Sequence, residues 1–447
     1  MEKILNLRRG LDLKLDGAAD GTEITATVTP QRVAITPDDF PGFTPKALVK
    51  EGDRVMCGQP VLRAKECESI CLCSPAAGVV EQVVRGDRRK ILRVVIAVDA
   101  ADSSVYSFNN IEDSPATITD TLMKSGLWVA MRQRPYDIVP REGVTPVNIF
   151  VTGIDSAPLA AGFEAEAADK AEYIAAGVSA LQKLTSGHIY ISVRPETNIP
   201  VPAGAEKVTV SGPHPAGNAG VQAANIAPVN KGETIWTLDI LTLIRVGQLV
   251  KTGKVDFSTV VTVTGPEVIA PKRIATIDGA EIAPLLKDNV KDDSKHHRII
   301  SGNVLTGVKV ESDGYLRFPY RQITVIAEGD DVAEFMGWAS MSPSKLSVSR
   351  AFPFKWFKKS FAPDARLLGG RRAMIMSGQY DKLLPMDIMP EYLIKAILAR
   401  DIEKMEQLGI YEVAPEDFAL CEFADPSKLE LHKIVREGLD YLHKELE

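Results

Sequence analysis

Four cysteines, Cys57, Cys67, Cys71 and Cys73, lie close together in the first hundred residues, three of them within seven positions. Thiolates are the soft ligands that select zinc and iron–sulfur clusters, so the cluster raises the chemistry of a metal centre. Its spacing is C-x9-C-x3-C-x-C. Zinc ribbons use paired C-x2-C hooks and ferredoxin-type clusters C-x2-C-x2-C, and neither occurs. If "SICLCS" is a strand, Cys71 and Cys73 share one face and Ile70 and Leu72 the other. Buried cysteine packs as a small hydrophobe, so strand filling is the expectation and no metal ligand is assigned. The rival is a metal or iron–sulfur electron-transfer protein built on Cys57, Cys67, Cys71 and Cys73. Cys421 stands alone and cannot hold a cluster unaided.

The other chemistry-bearing stretches are weaker. "VTVSGPHPAGNAG" has Gly212, Gly217 and Gly220, but not as G-x-G-x-x-G, and Asn218 and Ala219 stand where a Walker loop places Lys and Ser/Thr. Pro213 and Pro215 remove amide donors that a phosphate cradle would use. A rigid, close-packed loop is expected there, and the downstream acid, Asp239, adds little. Of six histidines, none forms HExxH; His214, inside this loop, is the one whose setting suggests a role. His296 and His297 read as a solvated pair. "SGLWVAMRQRPYDIVP" combines Trp128, Met131 and Tyr136 with Arg132 and Arg134. It suits a packed helix start, a protein interface, or a planar ligand such as a quinone head group. "VVRGDRRKILR" gathers Arg85, Arg88, Arg89, Lys90 and Arg93, either a solvated hairpin end or a docking patch for an acidic partner.

The elements that must position these residues change character along the chain. At 447 residues the length suggests about three domains. A net charge of −7 argues against nucleic acid, or an anionic membrane, as the main partner. The start carries no signal-peptide pattern, and "TIWTLDILTLIRVGQLV", broken by Asp239 and Arg245, falls short of the ~18 apolar residues of a membrane span. A cytoplasmic protein that does not cross a membrane by itself is expected. Residues 1–101 read as short strands punctuated by Gly and Pro. The pattern GD-x-V-x-x-GQ-x-[VL], followed by PAxG-x-V, resembles the half-barrel of biotinyl and lipoyl carriers. Lys65 lacks the carrier's flanking residues, so that fold is expected without its carrier role. Residues 102–258 alternate strands and helices, which indicates a Rossmann-like open sheet. Residues 259–328 return to short strands, and 329–447 end in helices. One helix is expected through "PEYLIKAILARDIEKMEQLG", stopping at Gly409, and another from the N-cap Asp425. The fold class is thus α/β multidomain.

Several stretches in order, "RRGLDLKLDG", "SGLWVAMRQRPYDIVP", "IFVTGIDSAPLAA", "GPHPAGNAGV", "HRIISGNVLTG", "GGRRAMIMSGQYDKLLPMDIMP" and "APEDFALC", resemble one family over nearly the whole chain. It is the NqrA subunit of the bacterial Na⁺-translocating NADH:quinone oxidoreductase. The resemblance implies a peripheral, cytoplasm-facing member of a six-subunit inner-membrane complex that reduces quinone and exports Na⁺. It further implies no cofactor in this subunit, docking on the quinone-reducing membrane subunit, and quinone as substrate of the complex. Architecture similar to the NADH-binding flavoprotein of complex I follows, with a β-grasp-like part at 259–328. Carried over as quinone-proximal are Phe40 and Phe43 in "TPDDFPGFTP" and Arg132, Arg134 and Tyr136 in "MRQRPYDIV". Trp128, Arg85, Arg88 and Arg89 are the expected partner-docking residues. The chain departs from the family in having "VQAANIAP" where many members carry histidines, "EFADPSK" where many carry a second cysteine, and the N-terminal cysteines, which lie outside the pattern.

Overall fold

The computed structural model describes residues 3–19, 21–109, 111–292, 295–330, 346, 348 and 359–446. At its centre is a six-stranded sheet ordered Lys3–Asn6, Glu206–Ser211, Ile189–Val193, Asn148–Thr152, Ile235–Asp239 and Arg132–Arg134. The first five are parallel and the last runs antiparallel. Such a sheet needs both faces covered, and the side-chain alternation divides accordingly. Ile149, Val151, Ile191 and Trp236 join one core cluster, whereas Phe150, Tyr190, Val208 and Ile235 join another.

The helices Ala171–Gln182 and Ile240–Thr252 cover the first face. The second starts on Asp239, whose carboxylate accepts from the Thr242 amide at 2.6 Å, and ends on Gly253 at φ 69°. Both are typical helix-end chemistry. The two helices cross at glycines. A Cβ on Gly247 would lie 1.8 Å from the Tyr173 carbonyl oxygen, and one on Gly177 would lie 2.5 Å from that of Leu243. The helix Ala219–Ile226 covers the opposite face.

The N-terminal β domain packs a four-stranded sheet, Arg32–Ile35, Ile91–Val98, Gly78–Arg85 and Arg54–Val55, on a three-stranded one, Pro45–Ala47, Pro60–Ala64 and Cys71–Cys73. Val33, Val61, Leu72, Val80 and Ile96 fill the space between them. Two segments at the start of the chain pair elsewhere. Lys3–Asn6 is an edge of the central sheet, and Ala26–Thr27 pairs with Lys272–Ile277 in a third sheet. The expected 1–101 unit is therefore not closed on itself, because short strands add wherever a sheet edge is open. That third sheet also contains Ser258–Thr264, His297–Ser301, Val308–Val310 and Gln322–Ala327.

Part of the expected 329–447 domain, residues 331–345, 347 and 349–358, lies outside the described residues. Beyond it, two helix boundaries differ from expectation. "PEYLIKAILARDIEKMEQLG" forms two helices, Pro390–Ala399 and Ile402–Gln407. Arg400 turns left-handed at φ 53°, and Asp401 caps a new start by accepting from the Lys404 amide. Asp425 does not begin the last helix. Its carboxylate accepts from Ser427 and Leu429 amides in a loop, and the helix runs Leu431–Leu446.

Replacing Gly247 by Ala forces the crossing helices apart and is expected to lower unfolding stability by about 1–3 kcal/mol or more. Gly370, with open space around it, should tolerate Ala within about 0.5 kcal/mol. Urea unfolding of both variants checks the contrast.

Candidate functional site

The strand order places a topological switch at Asn148–Thr152, which has Ile189–Val193 on one side and Ile235–Asp239 on the other. Chains leaving such neighbours diverge, and the crevice at their carboxyl ends is where open α/β sheets hold ligands. A cavity of about 250 Å³ lies there. Thr152 and Asp155 follow one strand, Thr237 and Asp239 end the other, and the third sheet supplies Thr262, Arg321 and Gln322.

The GPHPAGNAG loop forms one side and is held internally. The Ser156 hydroxyl accepts from the Gly217 amide at 2.8 Å and lies 3.0 Å from His214 Nδ1. Thr152 donates to the Gly217 carbonyl at 2.9 Å. A Cβ on Gly217 would approach Ser156 to 2.7 Å, so the loop needs glycine there. His214 is 4% exposed, and burial pushes it down to about 4 against the opposing pull of Asp12. A neutral ring that braces a loop is the role this geometry supports. Asp239, besides capping its helix, holds Arg321 at 2.6 Å. Burial would raise its carboxyl, but Arg321 outweighs that and keeps it below the usual range.

The two segments expected near quinone are neighbours. The Val139 amide donates to Pro41 at 2.8 Å, and Arg132 Nη2 to the Asp39 carbonyl at 2.7 Å. Arg132 lines the cavity and lies over the Phe40 ring, 6.0 Å from its centroid. Phe40 in turn stacks on Phe318, a wall residue, at 5.0 Å. Phe43 is 8% exposed in the core of the β domain. Tyr136 faces away, its ring 4.7 Å from that of His443 and its carbonyl accepting from Arg436 at 2.6 Å.

Arg134 is 1% exposed. Its Nη1 donates to Asp417 at 2.8 Å and to the Glu412 carbonyl at 2.7 Å, and its Nη2 to Glu416 at 3.4 Å. A Cβ on Gly220 would meet Nη2 at 2.1 Å, so that glycine makes room for the guanidinium. Burial works against this charge, and Asp417, Asp137 and Glu416 more than offset it.

Residues 5–99 match the NqrA N-terminal barrel-sandwich hybrid domain, 114–255 the NqrA second alpha/beta domain, and 260–312 the NQRA C-terminal domain. Proteins whose names give them as this same subunit of Na(+)-translocating NADH-quinone reductase are similar over the full length. That of Rhodopirellula baltica is 36% identical, covering 99% of each chain. Those of Saccharophagus degradans and Pasteurella multocida are 35% and 34% identical, covering 99% of this chain and 100% of theirs. The chain belongs to the NqrA family. A crystal structure of an NAD+-reducing NiFe hydrogenase is similar at a TM-score of 0.36 and 11% identity, over 74% of this chain and 61% of that one. A likeness that low carries no argument.

The remaining residues expected to act in this NqrA-family chain are placed as follows. Trp128, expected at a docking surface, is 2% exposed; its Nε1 donates to Pro140 at 2.6 Å and its ring meets Trp236 edge-on at 5.0 Å. It belongs to the core, where no partner reaches it. Arg85, Arg88 and Arg89 are exposed on a hairpin tip. Cys71 and Cys73 lie on the short strand Cys71–Cys73, buried at every position. Cys67 donates to Glu142 at 3.1 Å and Cys73 to the Lys124 carbonyl at 3.2 Å. Burial pushes Cys57 and Cys71 up to about 11, which disfavours the thiolate a metal requires. Among the described residues no group of three or more His, Cys, Asp or Glu is placed to hold a metal ion. Sequence reasoning missed Asp417, Arg321 and Phe318, whose partners lie far along the chain and leave no local motif.

Asp417→Ala leaves Arg134 buried and uncompensated and should cost about 3–5 kcal/mol. Arg134→Met combined with Asp417→Leu should cost less than Asp417→Ala alone, which a double-mutant cycle in urea measures. The unfolded chain protonates His214 near 6.5, above its folded value of about 4. Its neutral form therefore contributes fully above pH ~6.5, and stability falls by up to about 3 kcal/mol as pH drops through that window. His214→Gln should flatten this acid limb.

Proposed function

We propose that the chain is the cofactor-free, peripheral NqrA subunit of a six-subunit Na⁺-pumping NADH:quinone oxidoreductase. At the cytoplasmic face of the inner membrane it docks on the quinone-reducing membrane subunit. In this role it supports reduction of quinone to quinol coupled to Na⁺ export. The observation that carries the reading is its similarity, 36% over 99% of both chains, to a protein named as that subunit. Among the described residues no helix is long and apolar enough to cross a membrane, which suits a protein that works through membrane partners. We read the parallel sheet as Rossmann-like, the third sheet as β-grasp-like and the end of the chain as a helical domain.

The quinone head group is assigned to the cavity wall made by Arg132 and the Phe40–Phe318 pair. An aromatic surface and a fixed guanidinium suit the ring and the carbonyls of a quinone. Phe43, Arg134 and Tyr136 support that wall from behind: Arg134 anchors the strand bearing Arg132, and Tyr136 ties its hairpin to the last helix. A second reading, a purely structural adaptor without ligand, is favoured by one observation. Arg132 already donates to two backbone carbonyls, of Asp39 and Val129. An iron–sulfur electron carrier is disfavoured by the divergent partners of the four N-terminal thiols.

Titration of the isolated chain with a short-chain quinone, followed by calorimetry, should saturate near one equivalent without flavin absorbance. Arg132→Ala should weaken that binding about tenfold and slow quinone reduction in the assembled enzyme, because it removes a charged hydrogen-bond donor. Absence of binding together with unchanged kinetics in Arg132→Ala would establish the adaptor reading.

A further inference from the structure

The strands Gly78–Arg85 and Ile91–Val98 are joined by a tight turn whose central residues, Arg88 and Arg89, both have positive φ, 52° and 60°. The Lys90 amide donates to the Asp87 carbonyl at 3.1 Å, and the Gly86 amide to the Lys90 carbonyl at 2.9 Å. This is a type I′ turn, the geometry that matches strand twist and that Asn-Gly or Asp-Gly fills at least cost. A left-handed backbone is unfavourable for a long side chain, and two consecutive arginines break the local rule twice. Arg85 donates to the Arg89 carbonyl at 3.3 Å, a contact that does not require arginine at either turn position. Residues that defy their turn without a structural return point to a role outside the fold.

The surroundings state what that role needs. Over residues 85–93 the chain has five basic residues, Arg85, Arg88, Arg89, Lys90 and Arg93, against one acid, Asp87. Lys90 is held by Asp38 at 2.8 Å, and Arg93 lies over Tyr315 at 5.6 Å. Glu81, the next acid along the strand, is held by Arg32 at 2.7 Å. Arg85, Arg88 and Arg89 remain exposed at the tip, and Leu92, 38% exposed, sits at its base against Gly86. The chain as a whole is at −7, so this projecting tip inverts the sign of the molecule locally. Exposed charges are screened beyond a Debye length of about 8 Å, so a flat surface touching the tip meets these arginines rather than the acidic bulk.

We propose that the Arg85–Arg93 hairpin tip docks on the anionic headgroups of a lipid bilayer. The proposal rests on the reading above only in placing the chain beside a membrane. Guanidinium groups bind phosphate in paired hydrogen bonds, and a small apolar residue beside them suits the headgroup boundary. A protein acid is the competing partner, and the experiment separates the two.

The test is co-sedimentation of the full chain with phosphatidylglycerol–phosphatidylcholine vesicles and with pure phosphatidylcholine vesicles. Wild type should bind the anionic vesicles only, with binding falling as salt rises. Arg88→Asn with Arg89→Gly suits the turn better, so it should melt no lower than wild type while its vesicle affinity falls roughly 25-fold, about fivefold per arginine. Arg88→Lys with Arg89→Lys keeps the charge and should retain most of the binding. Equal sedimentation with both vesicle types, or unchanged binding by the Asn-Gly variant, overturns the proposal. So does a wild type that ignores vesicles while the Asn-Gly variant fails to assemble with the membrane subunits, which would assign the tip to an acidic protein surface. Quinone titration of the same samples is independent: a chain that binds vesicles but no quinone overturns the quinone site and leaves the lipid contact standing.

Discussion

A guanidinium sealed from water must be given all its acceptors by the protein, and Arg134 obtains them from a segment nearly three hundred residues away. Asp417, Glu416 and the Glu412 carbonyl come from the C-terminal region, while the arginine sits on the edge strand of the central sheet. Gly220, at the start of the helix Ala219–Ile226, leaves the space it occupies. One ion pair therefore joins the sheet edge, the GPHPAGNAG loop and the helical end. Burial makes the pair costly to form and more costly to break, so it acts as a register pin between parts of the chain that could otherwise slide.

The cavity follows from that joint. Arg132 is two residues away on the same strand, and Glu416 is the next residue to Asp417. Fixing Arg134 thus places a second guanidinium and a carboxylate on the cavity wall. The opposite wall depends on Asp239, which terminates a central strand, caps the following helix and holds Arg321 of the third sheet. A cavity between two sheets keeps its shape only if something bridges them, and this ion pair does so. The aromatic stack of Phe40 on Phe318 ties the N-terminal β domain into the same arrangement.

Loops and hairpins then divide into those whose geometry the fold explains and those it does not. Gly217 and Gly220 are demanded by Ser156 and Arg134. Tyr136 and Asp137, left-handed at φ 82° and 52°, occupy a turn held by Gln133, Ile138 and Arg436. The Arg88–Arg89 turn has no such support, and its side chains point to solvent. Backbone strain that packing compensates is architecture; strain at an exposed tip is better read as function.

By itself the sequence determined what depends on local pattern. The half-barrel motif, the alternation of strands and helices, the buried strand at Cys71–Cys73 and the ordered run of motifs that marks the NqrA family were all legible, because each is carried by neighbouring residues. Tertiary structure alone decided what depends on distant partners. Trp128 looked like a surface anchor until Trp236 and Pro140 closed over it. Asp239 looked incidental until Arg321 reached it. Arg134 looked like a ligand contact until Asp417 claimed it, whereas Arg132, two residues earlier with the same chemistry, was left at the cavity. A side chain's type states what it could bind; which acceptor it meets is set by long-range packing, and no spacing along the chain encodes that.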